Sequence, residues 1–135
     1  MKRILLLSAL CLIPYPAVAS VLDRDTADHP RDGSVIFWEG GVFAKQIHSR
    51  TNSDIPHAAI VLYHGDKPWV YEASPPRVRK IPMGEYLERL KRKTDRQWRP
   101  ITWFIMQPRT AYSERELVAM KAHAESQVGR QYMVR

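Results

Sequence analysis

Cysteine is almost missing from this sequence: of 135 residues only Cys11 is one. That scarcity excludes a disulfide framework and a Cys-rich metal site. Long apolar runs are scarce as well. The stretch Ile4–Ile13 is short for a membrane span, and no later run suggests one. Acidic residues are in deficit, 14 against 21 Lys and Arg, which leaves a formal charge of +7. Internal repeats and low-complexity segments are also lacking.

What is present belongs to one globular domain. Hydrophobic residues make up 44% and charged residues 26% of the chain, a composition of folded rather than disordered protein. The first residues follow a secretory pattern: Lys2 and Arg3, then the apolar stretch, then the breakers Pro14 and Pro16, then the small-x-small triplet Ala17-Val18-Ala19. Cleavage is expected near Ala19, with residues 1–19 as signal peptide and the mature protein exported to the periplasm or cell envelope. Bulky Leu10 before Cys11 argues against a lipoprotein, and cleavage removes the one thiol. An uncleaved membrane anchor is the competing account of the same segment. Loss of Lys2 and Arg3 leaves a charge of +5.

Residues 20–31 read as a linker and 32–135 as the domain. Asp32-Gly33-Ser34 signals a turn before an apolar strand, Val35–Trp38, closed by Gly40-Gly41. A short helix is expected over Val42–Ser49, with Val42, Phe43 and Ile47 on one stripe. Pro56 suits a strand entrance. His57–Tyr63 and Trp69–Ala73 form a hairpin around His64-Gly65-Asp66-Lys67. Pro75-Pro76 stops the second strand, and Val78–Ile81 can make a short basic one. Met83, Tyr86, Leu87 and Leu90 mark a helix over Pro82–Lys93, and Ile101–Gln107 is a strand between prolines. Ser113-Glu-Arg-Glu116 is a capping box opening a helix to Val128, with Leu117, Met120, Ala124 and Val128 as its stripe and Gly129 as its stop. This order of elements predicts an α+β fold with a largely antiparallel sheet.

The hairpin carries the candidate chemistry. Alternation puts His57 on the face of Ala59, Val61 and Tyr63, and Glu72 on the face of Val70. A two-residue turn at His64-Gly65 sets His57 directly opposite Glu72. A turn at Gly65-Asp66 sets Glu72 opposite Ala59, one diagonal step from His57. Opposed side chains lie about 5 Å apart and diagonal ones ~7–8 Å. A carboxylate bonded to one imidazole nitrogen fixes tautomer and ring plane and leaves the other nitrogen as a base. A plain structural hydrogen bond is the simpler alternative on spacing alone. A zinc site on His57 and His64 fails on parity, because seven residues apart on a strand they face opposite sides. No cofactor or metal is implied. The basic residues Arg77, Arg79, Lys80, Arg89, Lys91, Arg92 and Lys93 offer a surface for anionic lipid or cell-wall polymer, or form a solvated face. Nucleic acid fits an exported protein poorly.

Several segments together resemble a known family. Asp32-Gly-Ser-Val-Ile-Phe-Trp38, Phe43-Ala-Lys-Gln-Ile47, Ser53-Asp-Ile-Pro-His-Ala-Ala-Ile-Val61, Val70-Tyr-Glu-Ala73 and Val78-Arg-Lys-Ile-Pro82 with the following Tyr-Leu helix are similar to the ordered motifs of the permuted papain-like amidases, YiiX/YebB-like members of the NlpC superfamily. The resemblance spans about Gly33–Tyr132. It implies a circularly permuted, papain-like antiparallel sheet packed with helices and a cysteine hydrolase acting on amides, with cell-wall peptides or lipid-like compounds as the candidate substrates. His57 and Glu72 take the base and orienter positions. Gly129-Arg-Gln-Tyr132 matches the lead-in to the nucleophilic Cys and its helix, which do not follow here, so the domain reads as incomplete at its C-terminus. Ser113 is better explained as a helix cap than as a replacement nucleophile. The resemblance therefore implies an inactive 135-residue chain. The competing expectations are a non-catalytic binding module for cell wall or anionic membrane, and a non-functional truncated remnant.

Overall fold

The computed structural model describes residues 20–22, 29–41, 44–53, 55–95 and 101–132. The expected signal peptide with Cys11, half of the expected linker (residues 23–28), and Val42 and Phe43 lie outside these. The described residues form an α+β fold. Strands β1 (Ser20–Leu22) and β2 (Val35–Gly40) precede helix α1 (Ala44–Thr51); β3 (His57–His64), β4 (Lys67–Ser74) and β5 (Arg77–Pro82) precede α2 (Met83–Thr94); and β6 (Ile101–Gln107) precedes α3 (Glu114–Gln127). All the pairings are antiparallel, in the order β1-β6-β2-β3-β4-β5.

One expectation is corrected at the start of the chain. Ser20–Leu22 is not linker but a short edge strand, with Ser20 opposite Gln107 and Leu22 opposite Ile105. The β6 edge would otherwise present unpaired main-chain groups, and Val21 and Leu22 suit a strand.

The turn chemistry explains the register. Gly65 has φ +63° and Asp66 is not in the positive-φ region. Positive φ at the first of two loop positions is what a type II′ hairpin requires. The loop is therefore Gly65-Asp66, His64 pairs with Lys67, and Ala59 pairs with Glu72. Gly33 is required for another reason. Its φ is +85°, and a Cβ there would fall 2.5 Å from the Tyr112 ring. The tight turn it makes lets Gly33 N–H reach Val61 O at 2.9 Å and lets Asp32 Oδ1 accept from Tyr63 N–H at 3.1 Å.

The two faces of the sheet are covered in different ways. One face carries Ile36, Ala59, Val61, Val70, Ile81, Ile101 and Ile105, and α2 buries Met83, Tyr86 and Leu90 against it. These apolar side chains are the core. The opposite face receives α3, in which no residue is buried. Besides apolar contact with Ile60 and Leu62, polar ties hold that helix. Lys121 bonds Asp32 at 2.7 Å, and Glu125 accepts from the Tyr71 hydroxyl at 2.6 Å and pairs with Lys80. The expected stripe of Leu117, Met120 and Ala124 is only half-buried, and Val128 is exposed. The capping box is present: Ser113 Oγ accepts from Glu116 N–H, and Glu116 Oε2 accepts from Ser113 N–H at 2.8 Å.

After α3 the chain joins the β5 edge. Gly129 N–H donates to Val78 O, Val78 N–H to Arg130 O, and Tyr132 N–H to Pro76 O. This unequal packing predicts unequal sensitivity. Leu90→Ala should cost about 2–5 kcal/mol in urea unfolding, and Leu117→Ala about 1 kcal/mol or less. Equal losses would contradict the description of α3 as a polar-tethered helix.

Candidate active site

The second of the two possible hairpin registers is the one present, and in it the diagonal pair still meets. His57 Nε2 lies 2.9 Å from Glu72 Oε2. His57 opens β3 just after Pro56, and Glu72 lies near the end of β4 on the α2-covered face. Glu72 is 6% exposed, and the His57 side chain is 13% exposed. With Nε2 turned to the carboxylate, Nδ1 is the ring nitrogen left for another partner.

Three further residues build the surroundings. Pairing of Ser74 with Arg77 across Pro75-Pro76 puts Arg79 directly opposite Glu72. Arg79 Nη2 donates to Glu72 Oε1 at 2.7 Å. Trp38 lies opposite His57 across β2 and β3, with ring centroids 4.9 Å apart and planes tilted by 36°. Lys93, from the last turn of α2, holds its ammonium 4.7 Å above the Trp38 ring. That is a cation–π distance.

Each oxygen of Glu72 has its own cationic or donor partner. Burial alone would raise this carboxyl. The hydrogen bond from His57 and the charges of Arg79, His57 and Lys93 outweigh it and hold the group below its usual value. Tyr86 is affected in the opposite sense: burial, then the nearby Glu72 charge, raise its phenol. The Trp38 indole N–H and the Tyr86 hydroxyl are buried beside this carboxylate.

Strand alternation alone puts His57 and Glu72 on one face, whereas the run of basic residues around Arg79 looks like a surface cluster. A two-residue turn at Pro75-Pro76 is the signal that would have placed Arg79 on Glu72. Trp38 and Lys93 had none, because their positions depend on the β2–β3 register and on how α2 lies across the sheet.

The expected basic surface is divided by the same register. Arg79 and Lys80 project to opposite faces. Arg79 is held by Glu72, Lys80 by Glu125 with its ammonium over the Trp69 and Tyr71 rings, and Arg89 by Glu85 at 2.5 Å. Arg77, Lys91 and Arg92 are exposed.

The remaining histidines are elsewhere. His64 is on the face opposite His57, 2.6 Å from the Tyr71 hydroxyl and 3.3 Å from Glu125. His29, His48 and His123 are exposed. No group of three His, Cys, Asp or Glu residues among the described ones could hold a metal. Ser113 is exposed at the start of α3, a helix lying on the face away from His57.

No protein-family model, curated protein or solved structure matches this chain.

The arrangement has a definite chemical capacity. A buried, ionised carboxylate fixed by Arg79 holds an imidazole by Nε2 and makes Nδ1 the basic atom. Because the native Glu72 carboxyl titrates below its unfolded value, its contribution to stability is present above the unfolded carboxylate range, near pH ~4.3. It is lost as pH falls through the lower native value. Thermal unfolding from neutral to acid pH should show this loss in the wild type and a shallower acid dependence in Glu72→Gln. Arg79→Ala, which leaves a buried acceptor unpaired, should cost about 1–3 kcal/mol at neutral pH. Identical acid profiles for wild type and Glu72→Gln would contradict the assignment.

Proposed function

We propose that His57 and Glu72 are the base and orienter of an exported, thiol-dependent amide hydrolase of the permuted papain-like kind. The observation that carries this reading is the 2.9 Å bond from His57 Nε2 to a carboxylate whose other oxygen is held by Arg79. Burial alone already requires that this carboxylate be paired. The Arg79 bond to its second oxygen also restrains its rotation, which suits an orienter that must fix the imidazole plane.

The course of the chain also supports it. The 129–132 segment runs down the β5 edge toward Pro76, the end of the sheet at which His57 opens β3. Three strand spacings, about 14 Å, separate the two. Tyr132 thus lies at the same end of the sheet as His57.

In this reading Nδ1 takes the thiol proton and the thiolate attacks the amide carbonyl. The C–N bond then breaks as the imidazolium returns the proton to the leaving amine, and water hydrolyses the thioester. Glu72 stays ionised throughout. Its part is to hold the ring and stabilise the imidazolium. Cell-wall peptides or lipid-like amides are the proposed substrates.

The 135-residue chain has Cys11 as its one thiol and is expected to be inactive on amide substrates. The test is the intact mass of the protein recovered from its native host, with and without iodoacetamide. The expected result is a mass above that of Ser20–Arg135 and one alkylated thiol. Its alkylation near neutral pH should slow about tenfold or more in His57→Ala. A native protein that ends at Arg135 without a reactive thiol, or a thiol indifferent to His57, would overturn the proposal and favour a binding module or a remnant.

A further inference from the structure

The β5 edge has a second feature, independent of whether His57 is a base. A groove of about 360 Å³ runs along it, lined by the β5 residues from Arg77 to Pro82, by Glu85 and Arg89 of α2, and by Val128 and Gly129. Arg77 and Arg79 alternate onto the α2-covered face of β5. Arg89 reaches the same groove from the helix above. Three arginines therefore line one cleft.

Two of these arginines already hold a carboxylate, Glu72 for Arg79 and Glu85 for Arg89. Each guanidinium has five N–H donors, so one carboxylate does not exhaust it. Arg79 Nε is buried and has no hydrogen-bond partner among the described residues. Arg77 is exposed.

The main chain of this edge is also available. The 129–132 segment pairs with Pro76–Val78. Val78 turns its N–H and C=O outward to make those bonds, and by alternation Lys80 turns its own the same way, away from β4. The groove thus offers an outward-facing N–H and C=O pair at Lys80, apolar wall from Ile81 and Val128, and arginines at its rim.

We infer that the β5-edge groove binds an extended acidic peptide segment. The peptide main chain pairs with Lys80, and its carboxylates meet Arg77, Arg79 and Arg89. Binding by strand addition supplies sequence-independent hydrogen bonds, and the arginines supply the preference for acidic side chains. Glu85 lies in the same lining and competes with the ligand for Arg89. The groove is two strand spacings, about 10 Å, from the β3 strand that carries His57.

The test is fluorescence anisotropy with a labelled hexapeptide of alternating glutamate and alanine. A lysine–alanine peptide and vesicles containing anionic phosphatidylglycerol serve as comparison ligands. Arg79 is left unchanged because it holds Glu72. The acidic peptide should bind at low salt and weaken steeply toward about 0.5 M salt. Its affinity should fall about tenfold in the double variant Arg77→Ala/Arg89→Ala. It should tighten in Glu85→Gln, a variant that loses a competing charge without losing a donor to the peptide. His57→Ala should bind like the wild type, which separates this groove from the proposed amide chemistry. The lysine peptide and the vesicles should not bind. Absence of acidic-peptide binding at low salt, binding indifferent to Arg77, Arg89 and Glu85, or vesicle binding lost in the same arginine variant would overturn the inference. The last result would make this edge a membrane-facing patch.

Discussion

A carboxylate buried in the middle of a sheet must be ionised and paired, or neutral. Glu72 is buried on β4 and takes the first course: Arg79 binds one oxygen, and His57 the other. Much of the local structure follows from this pairing. The β4–β5 register must keep Arg79 opposite Glu72. The β3–β4 register must leave His57 one diagonal step away. Trp38 must pack on the imidazole from the next strand. A slip of one residue in any of these pairings would send a charged side chain to the wrong face. Taking an ion pair from water is costly, and its worth is in specifying one arrangement more than in net stability.

The same two strands do different work on their two faces. Glu72 and Arg79 form one cross-strand pair, and their neighbours Tyr71 and Lys80 form the next, facing the other way. On that back face Tyr71 and Lys80 hold Glu125 and thereby the end of α3. Glu125 is kept below its usual value by the hydrogen bonds from Lys80 and Tyr71, and the Tyr71 phenol is raised by burial and by Glu125. The helix so tethered delivers the chain to the β5 edge. Face-to-face coupling through adjacent residues thus links the candidate base–orienter pair to the position of the C-terminal segment.

Much of the architecture was legible because its signals are local. Alternating apolar strands, the Gly65 turn, Pro75-Pro76, the spacing of Met83, Tyr86 and Leu90, and the Ser113–Glu116 box act within a few residues. The elements they mark lie close to where the sequence put them. The His57–Glu72 meeting was legible in kind, since both two-residue turns keep the pair on one face. What selected the register was the positive φ that Gly65 provides at the first loop position. Arg79 was read as surface because a run of basic residues looks solvated until strand parity separates its members. Strand β1 was missed because three residues carry too little periodicity, and only the vacant β6 edge calls for them. The stripe on α3 was real in spacing but overestimated in burial, because helix periodicity does not report how closely a helix approaches its sheet.

The central claim is that Glu72 holds His57 by Nε2 and leaves Nδ1 as the basic atom. Long-range ¹H–¹⁵N correlation of the neutral imidazole reads this directly. The account predicts that His57 carries its proton on Nε2, with an unprotonated Nδ1, in the wild type, and a mixture of tautomers in Glu72→Gln. A wild-type His57 protonated on Nδ1, or one whose tautomer is indifferent to Glu72, would contradict it.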